Sequence, residues 1–203
     1  MGTSFGNMHV MTDNLDDVLE ALTSLLEDKE QPVIPAGNLD GFESLLAVAY
    51  RGRNIFYLGQ LQRGFVSILN DYFDWGEVEA VGEELSSYIQ APVMTISYFD
   101  DGVFTMTIYS NGEEVTGQVW CTEGARFDYE LEDKKADISV LTEYLGHQHF
   151  DRLNEIMAMS DCEKAVEALQ ELLQIPLWIK SDWFDDIQDP ELEGKYAKYD
   201  LNR

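Results

Sequence analysis

Positive charge is almost missing from the middle of this sequence. No Lys or Arg falls between Arg63 and Arg126, a gap of 62 residues (64–125), while eleven carboxylates do. Over the whole chain 39 acidic residues face 13 basic ones, for a net charge of −26. Phosphate recognition needs Lys and Arg in a stripe or cluster, so direct nucleic-acid binding is disfavoured, and docking to anionic membranes with it. A basic protein partner is permitted. Cysteine is scarce too: Cys121 and Cys162 are far apart and form neither a disulfide framework nor a zinc signature, which fits a reducing cytoplasm. No apolar run approaches the roughly 18 residues of a membrane span. The N-terminus lacks the basic-then-apolar pattern of a signal peptide. There is no G-x-G-x-x-G, P-loop or H-E-x-x-H.

Apolar residues are plentiful. Hydrophobic side chains make up 45% and aromatics 12%, enough for a packed core and too many for a disordered chain. A folded chain of 23.2 kDa exposes roughly 9,700 Å², so an evenly spread net charge would sit near one per ~370 Å². That spacing, about 19 Å, exceeds the Debye length of about 8 Å, so only a clustered acidic face could steer a partner.

The pattern predicts an α+β fold. Residues 5–11 read as a short strand, with Met8 and Val10 opposite His9 and Met11. Leu15, Val18, Leu19, Leu22, Leu25 and Leu26 form one helical stripe, with Asp13 as its expected N-cap. After Pro32, Pro35 and Gly37, residues 42–50 are ambiguous between helix and strand. Ile55–Leu58 and Phe65–Leu69 read as a hairpin across Gly59 to Gly64. A second helix, 77–90, opens with Asp74-x-x-Glu77. It turns Val78, Val81, Leu85, Tyr88 and Ile89 inward and Glu77, Glu79, Glu83 and Glu84 outward. Val93–Phe99, Val103–Tyr109 and Glu114–Trp120 then form an antiparallel meander, with turns at Asp101-Gly102 and Asn111-Gly112. Helix-plus-hairpin thus occurs twice, as in a duplicated α-β-β unit. From Asp137 the texture is helical: 138–145, 148–158 and a helix opened by Ser160-x-x-Glu163. The expected layout is an antiparallel sheet domain with two amphipathic helices (1–123) and a C-terminal helical segment packed on it (124–203).

Several constellations invite a chemical reading. His147-Gln148-His149, with Asp151 and Glu155, is the nearest approach to a metal site, but zinc needs two further ligands. Loop or cap histidines are the simpler reading, and no metal or cofactor is expected. Asp189, Glu191, Glu193, Gly194 and Asp200 imitate a calcium loop with the wrong residues at several positions. Cys121 is a weak nucleophile candidate, since only remote histidines could activate it. The outward carboxylates Glu77, Glu79, Glu83 and Glu84, with Asp100, Asp101, Glu113 and Glu114 in the turns, form the favoured feature. They read as a docking face for a basic protein.

Leu85-Ser86, Tyr98-Phe99-Asp100-Asp101-Gly102-Val103-Phe104, Ile108 to Val115 and the later Leu172-Leu173-Gln174-Ile175-Pro176 together resemble acidic bacterial α+β proteins of unknown activity. They are also similar to immunity proteins of bacterial toxin systems. The likeness spans about residues 5–180. It implies a non-catalytic cytoplasmic protein that binds and blocks a partner, and it carries over no site residue. The alternatives are an enzyme with a site near His147 and His149, or a structural adaptor using the aromatics of 178–199, whose acidity serves only solubility.

Overall fold

The computed structural model describes residues 2–28, 52–181 and 194–202. The expectations for residues 42–50, and for the tail including Asp189, Glu191 and Glu193, fall outside them.

Seven antiparallel strands form one sheet: β1 (Phe5–Val10), β2 (Ile55–Gln62), β3 (Phe65–Leu69), β4 (Val93–Phe99), β5 (Val103–Ser110), β6 (Glu113–Cys121) and β7 (Ala197–Asp200). Their order is β6-β5-β4-β1-β3-β2-β7. The helices lying wholly within the described residues are α1 (Leu15–Asp28), α2 (Glu77–Leu85), α3 (Glu123–Asp128), α4 (Ile138–Leu145), α5 (Phe150–Met157) and α6 (Cys162–Leu173), with a 3-10 turn at His147–His149.

The alternation in β1 assigns the two faces. Met8 and Val10 join the apolar stripes of α1 and α2 in one core. Phe5 points the other way, into a core shared by β4, β5, β6 and helices α4 to α6. Because β1 lies mid-sheet with a layer on each side, all six of its residues are buried. Helices α4 to α6 therefore pack on this face of the sheet. The second core is anchored by Trp120, stacked on Phe104 with ring centroids 4.5 Å apart, its indole N–H donating to the Ile156 carbonyl at 3.1 Å. Lys134 covers part of the β6 edge: its carbonyl accepts from the Val119 N–H at 3.1 Å.

Several local expectations shift. Asn14, not Asp13, caps α1, its side chain accepting from the Asp16 N–H at 3.1 Å. Asp13 instead accepts from the Gly64 N–H at 2.6 Å and pins the β2–β3 hairpin, which turns at Arg63 and Gly64 after a longer β2. The cap of α2 is Gly76, whose N–H donates to Glu79 at 2.7 Å, and the helix ends at Leu85 rather than residue 90. Asp161, not Ser160, caps α6 through the Lys164 N–H. At α1 and α6 the adjacent side chain took the orphan amide, and at α2 Glu79 reaches back to the N–H of the glycine cap. The duplicated unit does not extend to topology. In α1-β2-β3 the second strand borders β1, whereas in α2-β4-β5 the first does.

Candidate functional site

The eight carboxylates of the expected docking face divide by position. Asp100 and Asp101 both have positive φ, 49° and 56°, and are the central pair of the β4–β5 turn, one residue earlier than Asp-Gly spacing suggests. Glu113 and Glu114 follow the Asn111-Gly112 turn at the other end of β5. That strand has eight residues, so the two turns lie roughly 24 Å apart. The nine-residue helix α2, roughly 13 Å long, covers about half of this distance over the sheet. It lies so close that a Cβ at Gly82 would run into Thr95 of β4, which explains a mid-helix glycine.

Glu79 does not face outward. Its Oε1 accepts from the buried hydroxyls of Ser97, at 2.5 Å, and Thr105, at 2.8 Å. Its Oε2 takes the Gly76 N–H. The physical reason is that β4 and β5 present a polar row (Thr95, Ser97, Thr105, Thr107) to α2, and a half-buried carboxylate satisfies it. Glu77 pairs with Arg53 at 2.8 Å and Glu114 with Lys134 at 2.5 Å, both across the sequence gap in basic residues. Asp100 accepts from the Tyr129 hydroxyl at 2.8 Å and the Gly2 N–H at 3.0 Å, and these two bonds hold its carboxyl below the usual range. Asp101 accepts from the Thr3 N–H at 2.9 Å, so this turn clamps the N-terminal segment. Glu83 and Glu113 are exposed and Glu84 is half-exposed. The Gly112 N–H donates to Ser86 Oγ at 2.9 Å, which ties the end of α2 to the turn before Glu113. Of the acidic set, Glu83 and Glu113 thus stand exposed on a helix end and an adjoining tight turn.

The two histidines bracket one 3-10 turn. His147 is exposed in the 3-10 turn, His149 precedes α5, and no group of three metal-capable side chains occurs among the described residues. Cys121 is half-buried. Cys162 is buried, donates to the Trp120 carbonyl at 3.3 Å, and burial pushes its thiol up to about 11, away from thiolate chemistry. Gly2-Thr3-Ser4-Phe5-Gly6 matches the G-x-S-x-G pattern of a nucleophile elbow. Here the serine leads into strand β1 instead of turning from a strand into a helix, so the elbow geometry is lacking.

Two features escape sequence reading because their residues are remote in the chain. One is a cavity of about 340 Å³ lined by Ser4, Asp71, Tyr72, Asp74, Lys180 and Ser181, in which the Ser181 hydroxyl donates to Asp71. Its lining carries charges of both signs. The other is a buried polar chain. Asn7 donates to the carbonyls of Leu177, at 2.7 Å, and Ile179, at 2.9 Å, so its oxygen must accept from His9 Nε2–H at 2.8 Å. His9 Nδ1 is then an acceptor, and Ser67 Oγ donates to it at 2.8 Å. The order Ser67, His9, Asn7 imitates a nucleophilic triad, yet all three are fully buried. The arrangement fastens the 177–179 segment to the sheet.

No helix among the described residues is long and apolar enough to cross a membrane. No protein-family model, no curated protein and no solved structure matches this chain.

Proposed function

We propose that this protein is a non-catalytic acidic binding module of immunity or inhibitor type. It docks a basic protein through the outward end of α2 and the adjoining β5–β6 turn. The observation that carries this reading is the placement of the exposed Glu83 and Glu113 on two elements bonded to each other through Ser86 and Gly112. Carboxylates held on a helix and a tight turn need no reorganisation to meet cationic side chains, and they can stand in for the phosphates of a nucleic acid. A nuclease with a basic cleft is the kind of partner this surface suits. Two free thiols agree with action in the cytoplasm.

The test is association kinetics with the basic protein that elutes from the immobilised chain in a salt ramp. The double variant Glu83→Lys/Glu84→Lys slows association at low salt by at least about tenfold and flattens its salt dependence. Unchanged kinetics in that variant count against the reading.

A further inference from the structure

At the β4–β5 turn, the opposite end of β5 from Glu113, lies a surface cluster of aromatic rings. Trp75 precedes α2, Phe99 ends β4 and Tyr129 follows α3. Their ring centroids are 5.0 Å (Trp75–Phe99), 5.3 Å (Phe99–Tyr129) and 5.9 Å (Trp75–Tyr129) apart. All three are only partly buried. Phe127, two residues before Tyr129, is 84% exposed, the most exposed large apolar side chain among the described residues. Isolated exposed apolar residues are ordinary, but a contiguous aromatic group at the surface, with an exposed phenylalanine two residues away in the chain, marks an interaction surface. Trp and Tyr are the residues that most often carry the energy of interfaces.

The surrounding charge selects the partner. Asp74 and Asp128 flank Trp75 and Tyr129 in sequence, and Asp100 is bonded to the Tyr129 hydroxyl. Arg126, the nearest base in sequence, is engaged with Asp133 at 3.3 Å. An acidic partner would be repelled. The three rings pack at ordinary aromatic contact distance, which leaves no cage between them for a cation. A planar cation could stack on their outer faces and fork to a flanking carboxylate. Guanidinium does both, whereas an ammonium offers a strongly hydrated point charge.

We propose that the Trp75–Phe99–Tyr129 cluster with Phe127 is an arginine-docking patch, the anchor of the basic partner inferred above. This assignment rests on that reading and goes beyond it in naming the residue type recognised. The experiment titrates the full chain at low salt with nona-arginine and nona-lysine peptides by isothermal calorimetry. The expected result is a preference for arginine of about three- to fivefold. Trp75→Leu and Phe127→Ser each reduce that preference, and together they abolish it. The exposed Phe127 site supplies a variant that leaves the core intact. Glu83→Gln/Glu84→Gln weakens both peptides alike and keeps the preference. Equal affinity for the two peptides, or a preference that survives both aromatic changes, overturns the arginine patch while the acidic-face reading stands. Failure of both peptides to bind at low salt overturns both readings.

Discussion

His9 sits one residue from the end of the central strand, with both ring nitrogens engaged and no exposed surface. Burial lowers its pKa from 6.5 to about 3. The unfolded chain therefore takes up a proton near pH 6.5 that the folded chain refuses until about pH 3. Stability is full above pH 6.5 and falls as the pH drops, by up to about 5 kcal/mol over the whole window. Urea unfolding at pH 7.5, 5.5 and 4.5 checks this. The variant His9→Gln removes one proton from the slope, whatever the surface carboxylates contribute in both proteins. Parallel pH profiles for the two proteins refute the assignment. Asn7 depends on the same chain, because its amide serves two carbonyls from a segment about 170 residues away.

At the level of elements, α2 shows how one helix can carry two kinds of carboxylate. Glu79 fastens the helix to β4 and β5, and Glu83 faces solvent one turn later. Removing Glu79 leaves one donor of the bonded Ser97–Thr105 hydroxyl pair unmet beneath the helix and loses the Gly76 cap bond. We therefore expect Glu79→Ala to cost about 2–3 kcal/mol of unfolding free energy, while Glu83→Ala stays within about 0.5 kcal/mol. Denaturant melts of the two variants separate these outcomes, and equal effects would mean that Glu79 is not an anchor. Helix periodicity places both residues away from the Val78–Leu85 stripe. Only the polar row on the sheet beneath distinguishes them.

For the whole molecule, a net charge of −26 makes the folded state repel itself. The seven ion pairs recorded among the described residues sit at exposed or half-exposed positions, where such pairs contribute little. Added salt screens the repulsion more than it weakens those pairs. The urea midpoint should accordingly rise between low salt and about 0.15 M sodium chloride, where the Debye length is about 8 Å. A flat or falling midpoint means the acidic groups are already spaced widely enough to ignore one another.

Local periodicity alone determined much of this protein. The stripes of α1 and α2, the meander from Val93 to Cys121 and the turn at Asn111-Gly112 each follow from the spacing of apolar and turn residues within a few positions. So does the short helix from Asp137 to Gly146, whose cap and stop are adjacent in the chain. The caps were less legible, because Asp13 and Asn14, or Ser160 and Asp161, offer similar chemistry and only final geometry chooses. Tertiary structure decided what depends on distant residues meeting. It placed β1 between β3 and β4, buried His9 behind Asn7 and Ser67, and turned Glu79 inward. It gathered Trp75, Phe99 and Tyr129 into one surface cluster. Hydrogen bonds and ring contacts between residues tens to hundreds of positions apart leave no periodic trace in the chain, because each partner satisfies its own local pattern equally well without the other.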